Sequence, residues 1–228
     1  MSDSQVRIFS LGDSALTVEF GISISVTLNR KAIALSEYFE QNPFAGFIEA
    51  VPAYASTTIF YDPIEVRGHL PGFSTAFEAI SDIATNAVDT AAEVKTESTR
   101  HMDVPVHFDS ESALDLEYVA AQSSISAKDV IQIFTSTTYR VFMLGFLPGF
   151  TYMGEVDERI ATPRKESPRT SVPKGSVGIA GRQTGIYSLE SPGGWQILGR
   201  TDVEMFTPGA ETPSFLRPGD EVRFVAIR

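Results

Sequence analysis

The residues with the greatest chemical potential lie between Phe142 and Thr201, where cationic side chains alternate with residues that shape the backbone. Between Arg159 and Arg182 the chain carries six cationic residues and one acid, a local charge of +5 in a chain whose total is −11. Such a concentration of positive charge attracts anionic small molecules. We therefore expect this segment to form an anion-binding pocket.

Two arginines and two neutral polar residues are the candidate catalytic groups. Arg164 and Arg169 lie five residues apart in Pro-Arg-Lys-Glu-Ser-Pro-Arg, where prolines restrict the chain enough to direct both guanidinium groups toward one ligand. Guanidinium groups stabilise oxygen charge that grows in a transition state. The alternative is a pair of solvated surface arginines. Ser176 and Gln183 complete the candidate catalytic set.

The same segment, between Phe142 and Thr201, contains two polar clusters and two aromatic clusters that are candidate ligand contacts. Val-Pro-Lys-Gly-Ser-Val offers backbone amides and a hydroxyl to an oxyanion, although a turn between strands explains its glycine equally well. Arg-Gln-Thr-Gly-Ile-Tyr offers neutral hydrogen-bonding groups to an amide edge, the alternative being a turn with its tyrosine packed inside. Trp195 is a candidate wall for the apolar face of a ligand, the alternative being simple packing. Phe146, Pro148, Gly149 and Phe150 are candidates for the apolar rim of the pocket or for a contact surface with a partner protein. The candidate substrate-binding residues are Phe146, Pro148, Gly149, Phe150, Lys174, Gly175, Thr184, Tyr187, Gly193, Gly194 and Trp195.

Several classes of site are excluded by motif. The sequence contains no G-x-x-x-x-G-K-[ST] phosphate loop, no G-x-G-x-x-G and no G-x-S-x-G nucleophile elbow. His69, His101 and His107 are the only histidines, and none has the spacing of a metal pair, so we expect no metal site. The biotin-attachment pattern Ala-Met-Lys-Met is absent.

Composition limits the class of protein. The chain has 228 residues, of which 43% are apolar, enough for one large or two small hydrophobic cores. It has no cysteine, no apolar run as long as a membrane span and no secretion-signal pattern at its start, so we expect a cytoplasmic protein. A pI near 4.7 argues against a nucleic-acid partner.

The elements that would position these residues fall into two blocks. In the first block, the residue patterns predict two short strands in residues 7–21, a helix in 25–41, two strands in 46–63 and a helix from residue 73. This order of elements predicts a ferredoxin-like α+β sandwich for domain 1–95. A polar stretch near residues 93–101 marks the boundary.

The second block, domain 96–228, begins with the strand HMDVPVHF. Two helices then follow, at residues 115–122 and 126–135, the second opening on a capping-box-like Ser126 and Asp129 pair. Residues 141–228 carry 12 of the 17 glycines and 8 of the 13 prolines. Many short strands with frequent turns favour a small β-barrel, which would carry the candidate site.

The stretches GFLPGFTYMG, TPRKESPRTSVPKGSVGIAGRQTGIY and SPGGWQILGRT resemble the allophanate hydrolase subunit 1 family, which includes the sporulation-kinase inhibitor KipI. FSLGDSALTVEF, DLEYVAAQSSISAKDVIQIF and LRPGDEVRFV extend the resemblance over the whole chain. The resemblance implies an α+β fold: an N-terminal ferredoxin-like α/β sandwich and a C-terminal cyclophilin-like β-barrel that bears the active-site motifs.

The resemblance also implies a function. It points to the B-type component of a heteromeric ATP-dependent 5-oxoprolinase, which opens 5-oxoproline to L-glutamate together with an A-type component and a C-type component that resembles allophanate hydrolase subunit 2. The implied cofactor is ATP with Mg, held at the complex rather than by this chain alone. The alternatives are a KipI-like histidine-kinase inhibitor and the carboxyltransferase half of a urea carboxylase or allophanate hydrolase-type system.

One departure from the family pattern concerns the helix before the Tyr-x-Val-x-x-x-Gly-Phe strand. Family members commonly carry a histidine there, and the matching residue in this chain is Phe134. If that histidine is a general base or a phosphate ligand, this chain lacks it.

Overall fold

The computed structural model describes residues 6–91 and 99–227. The chain separates into two compact units, Met1–Ser98 and Thr99–Arg228, and each has its own hydrophobic core. The boundary expected near residues 93–101, between domains 1–95 and 96–228, falls largely on residues outside those described.

The first unit is a four-stranded antiparallel sheet with helices on one face. Side chains alternate along the central strand at residues 56–61, so that Thr57, Ile59 and Tyr61 are buried while their neighbours are only half-buried. The buried side chains face the helices, as the hydrogen bond from the Thr57 hydroxyl to the Ala32 carbonyl shows. Its elements are β1 (Arg7–Ser10), β2 (Ala15–Glu19), α1 (Val26–Gln41), β3 (Phe47–Pro52), β4 (Ser56–Tyr61), α2 (Pro63–His69) and α3 (Ala76–Ala91).

The strand order β1-β2-β4-β3 is that of a ferredoxin-like sheet in which one strand comes from a different place in the chain. β2, α1 and β3 form a strand–helix–strand unit, and β4 is inserted between its two strands, which is the split arrangement of that fold. The sheet position that the last strand takes in that fold is occupied by β1, which precedes the unit and pairs antiparallel with β2. The short helix α2 was not predicted, although Asp62 caps it by accepting hydrogen bonds from the amides of Ile64 and Glu65.

The second unit is a closed barrel of seven strands in the order β10-β7-β6-β13-β5-β12-β9, with a separate two-stranded ribbon of β8 and β11. This confirms the predicted β-barrel. Helices α4 and α5 pack against β12 and β13. The elements are β5 (His101–His107), α4 (Leu116–Ser123), α5 (Ala127–Ser136), β6 (Thr138–Leu144), β7 (Thr151–Gly154), β8 (Arg169–Val172), β9 (Ser176–Ala180), β10 (Gln183–Ile186), β11 (Ser191–Gly193), β12 (Gln196–Arg200) and β13 (Glu221–Ile227).

The two predicted helices of this unit are present, and the predicted capping box at the start of α5 is confirmed. The Ser126 hydroxyl accepts a hydrogen bond from the Asp129 amide, and the Asp129 carboxylate accepts one from the Ser126 amide. Asp115 precedes α4 but its side chain makes no cap hydrogen bond to that helix. Its carboxylate serves another purpose, described below.

Phe134 lies on α5 and is fully buried in the core of the second unit. Its ring stacks on that of Phe224, with centroids 4.8 Å apart and planes 13° from parallel, and its carbonyl accepts a hydrogen bond from the Tyr139 hydroxyl. Position 134 in this chain is therefore a packing position. The phenylalanine, at a position where the resemblance implies a histidine, contributes an aromatic stack to this core.

Candidate functional site

A second, smaller apolar cluster in the barrel unit is separate from its main core. Phe150 lies at its centre and meets Tyr152, Tyr187 and Trp195 edge to face, with ring centroids 4.8, 5.1 and 5.5 Å away. Edge-to-face contacts place the positive edge of one ring against the negative face of the next. Together the four residues form an aromatic cluster whose rings fix one another's orientation.

This aromatic cluster borders a cavity of about 230 Å³. Seven of the residues that line it were predicted to belong to the site from sequence. Three were not, namely Tyr152, Pro168 and Pro192, although the two prolines flank predicted residues. The lining residues are Phe146, Phe150, Tyr152, Arg164, Pro168, Tyr187, Pro192, Gly193, Gly194 and Trp195.

Two glycines allow the walls of this cavity to approach each other. A Cβ atom at Gly193 would overlap the hydroxyl of Tyr187, and one at Gly185 would overlap the Thr151 carbonyl and lie 3.1 Å from the Trp195 ring. By contrast, a Cβ at Gly194 would meet only ordinary contacts, 3.5 Å from the nearest atom of Pro168. Glycine is thus required at positions 185 and 193 because the aromatic rings occupy the space of a side chain.

Arg164 alone carries a charge among the described residues that line the cavity. Its guanidinium carbon lies 5.9 Å from the centroid of the Trp195 ring, within the range of a cation–π interaction. The side chain is exposed and makes no ion pair with any other described residue. A positive charge in contact with an aromatic wall and open to solvent suits a small ligand that is anionic at one end and apolar at the other.

The two tyrosines of the cavity keep their protons at neutral pH. Burial raises the pKa of Tyr187, against the lowering effect of a hydrogen bond from the Trp195 amide and the charge of Arg164. Burial likewise raises the pKa of Tyr152, which the charge of Arg164 only partly offsets. Both hydroxyls therefore remain neutral groups able to donate a hydrogen bond.

Arg169 does not join Arg164 at the cavity. Its two terminal nitrogens donate hydrogen bonds of 2.8 and 2.7 Å to the two carboxylate oxygens of Asp115. Lys165 donates a third to the same carboxylate, at 3.1 Å. The expectation that both arginines face one ligand is therefore wrong for Arg169, because a buried acid 54 residues earlier in the chain binds its guanidinium.

Asp115 was missed as a functional residue by the sequence analysis. Its only local signal is a position just before a helix, where an acid usually caps backbone amides. Burial by itself would raise its pKa, but hydrogen bonds from Arg169, the Ile197 amide and Lys165 outweigh burial and hold the pKa below the usual 3.8. The carboxylate is thus ionised at neutral pH and fully paired.

The predicted anion-binding turn at Lys174, Gly175 and Ser176 is occupied by internal contacts. The Gly175 amide donates to the Tyr187 carbonyl, the Ser176 amide donates to the Pro173 carbonyl, and Lys174 forms a 2.6 Å ion pair with Glu204. Gly175 has φ +81°, and a Cβ there would overlap a backbone carbonyl, so a glycine is required. The two amides are not free to bind an oxyanion, and the alternative of a turn between strands is the observed one.

Thr184 and Gln183 also lie outside the cavity lining. The Thr184 hydroxyl is buried and donates a 2.9 Å hydrogen bond to the Gly178 carbonyl. Gln183 opens β10 and pairs in the barrel with Gly154 and Ala180. Of this predicted cluster, only Tyr187 is among the residues that line the cavity.

The loop between β6 and β7 contributes one residue to the cavity mouth. Phe146 has φ +66°, is 61% exposed and meets Phe150 edge to face at 5.5 Å. Gly149, with φ +76°, is buried where a Cβ would lie 2.8 Å from the Met205 carbonyl oxygen, and the exposed Pro148 is not among the lining residues. A phenylalanine in the left-handed region is uncommon, and such strain concentrates at functional sites.

Neither a metal centre nor a membrane span is found in the part of the chain that the structure describes. No group of three or more histidine, aspartate or glutamate side chains there is placed to hold a metal ion. No helix in residues 6–91 and 99–227 is long and apolar enough to cross a membrane.

Comparison with known proteins places these features in a family. The family model described as carboxyltransferase domain, subdomain C and D, matches residues 6–216. The chain is 46% identical to the B subunit of 5-oxoprolinase from Bacillus subtilis, over 97% of this chain and 92% of that protein. It is 35% identical to the B subunit of 5-oxoprolinase from Escherichia coli O157:H7, over 97% of this chain and 96% of that one.

Among solved structures, the crystal structure of TTHA0988 is 36% identical to this chain and aligns with a TM-score of 0.79. The alignment covers 98% of this chain but only 40% of TTHA0988. The present chain therefore spans less than half of that larger polypeptide, and both of its units have counterparts there.

Proposed function

Because this chain belongs to the family of carboxyltransferase domains with subdomains C and D, we propose that it acts as the B subunit of a multi-subunit 5-oxoprolinase. The near full-length similarity to two B subunits supports the reaction, the opening of 5-oxoproline to L-glutamate at the expense of ATP. We locate the site at the aromatic cavity because Arg164 is exposed there and contacts Trp195.

The chemistry of the cavity matches that of a small cyclic amide with a carboxylate. The saturated carbons of the ring suit the faces of Trp195, Tyr187 and Phe150, which exclude water from that side of the ligand. The guanidinium of Arg164 offers hydrogen bonds to a carboxylate or to the oxygen of a polarised amide. In this proposal the chain binds and orients the substrate, and Arg164 stabilises negative charge on its oxygen.

The described residues do not fit Mg·ATP on their own. The cavity offers one guanidinium and no carboxylate, whereas a metal-bound triphosphate needs several cationic or backbone donors and oxygen ligands for the metal. No described group of acids and histidines is placed to supply those ligands. We accordingly assign the nucleotide to a site completed by, or lying on, the partner proteins, and route no step of this chain's chemistry through it.

The partners in this proposal are a C-type protein, which resembles allophanate hydrolase subunit 2, and an A-type protein. The cavity is open at Phe146, and a site of about 230 Å³ lies below the usual range of roughly 300–1,000 Å³ for enclosed small-molecule sites. A partner that covers the mouth would enlarge and close the site. Activity is therefore expected from the assembled complex.

The test is reconstitution in which each component is omitted in turn. The chain is co-expressed with its C-type and A-type partners, and ATP-dependent release of glutamate from 5-oxoproline is measured for the full set and for each incomplete set. We expect turnover from the full set and none when this chain is absent. A stably assembled complex without turnover on 5-oxoproline would overturn the proposal, and bicarbonate dependence with a biotin-bearing partner would instead indicate a carboxyltransferase.

A further inference from the structure

Asp115 is the most extensively hydrogen-bonded buried acid near the cavity. Only 4% of the residue is exposed, and its two oxygens accept four hydrogen bonds from three residues. Two come from Arg169, one from Lys165 and one from the amide of Ile197, at 2.7 Å. Its own amide donates a 2.8 Å hydrogen bond back to the Ile197 carbonyl. A buried carboxylate saturated in this way holds its partners in one arrangement.

These partners belong to two segments, each of which carries a residue that lines the cavity. Lys165 follows Arg164, the residue that supplies the charge, and Ile197 lies two positions after Trp195, the residue that supplies the wall. Asp115 itself is not among the residues that line the cavity. A carboxylate from outside the cavity thus bridges the arginine-bearing segment to the tryptophan-bearing segment.

Two further hydrogen bonds reinforce the same bridge. The Lys165 amide donates to the Gly194 carbonyl at 2.8 Å, and the Gln196 side chain donates to the Pro163 carbonyl at 2.9 Å. Residues on both sides of Arg164 are therefore tied to residues on both sides of Trp195. The separation between the guanidinium and the indole is fixed by these contacts, with Asp115 as their one buried charge.

We propose that Asp115 is a positioning residue that sets the distance between Arg164 and Trp195, and so the affinity of the cavity for its anionic ligand. It acts through Lys165, Arg169 and the Ile197 amide and does not touch the ligand. The expected change in KM rests on the proposed 5-oxoprolinase function. The expected change in the surroundings of Trp195 does not.

Trp195 provides a direct readout because it is the only tryptophan in the chain. It is 4% exposed, so its emission reports on burial of the cavity wall and on the nearby guanidinium. Arg169→Lys keeps the charge but loses the two-pronged contact with the carboxylate, and Lys165→Met removes one donor while Arg169 still neutralises Asp115. Asp115→Asn removes the charge itself.

The same barrel offers a matched control. Arg223 makes an equivalent two-pronged contact with Asp103, at 3.0 and 2.6 Å, but both side chains are more than half exposed and neither lines the cavity. Arg223→Lys therefore makes the same chemical change to a pair that bridges only β13 and β5. It controls for the loss of a two-pronged ion pair as such.

In the isolated chain we expect Arg169→Lys and Lys165→Met to keep the far-ultraviolet circular dichroism of the wild type. Both should shift Trp195 emission to longer wavelength and make it more accessible to acrylamide, while Arg223→Lys leaves both quantities unchanged. In the reconstituted complex, Arg169→Lys should raise KM for 5-oxoproline about tenfold with kcat within about twofold of wild type.

Wild-type emission and quenching in folded Arg169→Lys and Lys165→Met would overturn the proposal, as would an equal change in Arg223→Lys. If Asp115→Asn does not fold, the other two variants still decide the matter. If the wild-type complex shows no turnover on 5-oxoproline, the proposed function fails, but the fluorescence comparison of the isolated chains still tests the positioning role.

Discussion

The barrel unit has two apolar clusters on the two faces of the same strands, and they differ in composition and in access to solvent. The interior core is built mainly from branched aliphatic side chains and is closed, whereas the outer aromatic cluster is built from aromatic rings, is bordered by glycines and opens onto Arg164. On β10, Ile186 lies in the interior core while Gly185 lies beneath the ring of Trp195. One strand thus contributes to the interior core on one face and to the candidate site on the other.

The difference shows how a small barrel separates folding from binding. Interior positions are filled by side chains that leave no room for a ligand, as the stack of Phe134 on Phe224 shows. On the outer face, aromatic rings in edge-to-face contact border a cavity, and the ion pair of Asp115 with Arg169 fixes the segment that carries Arg164. Substitutions on the two faces should therefore affect different measurements.

Removal of an interior ring should give the largest effect on stability. Phe134→Ala leaves a void where the ring stacks on Phe224, and we expect a loss of about 3–5 kcal/mol in the free energy of unfolding, measured by denaturant titration. Phe134→Leu, which keeps most of the apolar volume, should cost less. KM for 5-oxoproline of the folded fraction should be unchanged in the complex, and a raised KM would show that the two faces are not independent.

A methyl group added inside the cavity wall should give a smaller loss of stability but a large loss of binding. Gly193→Ala places a Cβ where the Tyr187 hydroxyl lies, so we expect about 1–3 kcal/mol of destabilisation and a strongly raised KM as that ring is displaced. Gly194→Ala is the control for stability, since its Cβ meets only ordinary contacts. Equal melting temperatures for the two variants would contradict the close approach inferred at position 193.

The strained residue at the cavity mouth should give the smallest effect on stability. Phe146 has φ +66°, which a glycine adopts without strain and an alanine does not. Both Phe146→Gly and Phe146→Ala lose the contact with Phe150, so their difference isolates the backbone conformation. We expect the glycine variant to be more stable than the alanine variant by about 1 kcal/mol in thermal unfolding, and the reverse order would contradict the strain.

Much of this organisation could be predicted from local sequence. Short strands, turn residues and the capping box predicted the barrel and helix α5, and the glycine- and aromatic-rich stretches predicted that Phe146, Phe150, Tyr187 and Trp195 would belong to a site. These features depend on neighbours within a few residues. In the first unit, the same patterns predicted the four strands and helices α1 and α3, but neither the short helix α2 nor the position of β1 in the sheet.

The remainder depends on pairing between distant residues, which local patterns do not encode. Arg169 was expected at the ligand because its type and spacing match those of Arg164, but the fold places Asp115 against it. The Gly175 amide was expected at an oxyanion, but the fold directs it to the Tyr187 carbonyl, twelve residues later in the chain. In each case the residue type was informative and the partner was chosen by tertiary packing.

The most direct test of the central claim compares two arginines of the barrel in the reconstituted complex. Among the described residues, Arg164 carries the one charge that lines the cavity, and Arg164→Ala removes it, whereas Arg223→Ala removes an exposed charge elsewhere on the barrel. We expect kcat/KM for 5-oxoproline to fall about tenfold or more for Arg164→Ala, since a hydrogen bond to a charged group contributes about 1.5–3 kcal/mol, and to stay within about twofold for Arg223→Ala. Equal kcat/KM values for the two variants would contradict the assignment of the aromatic cavity as the substrate site.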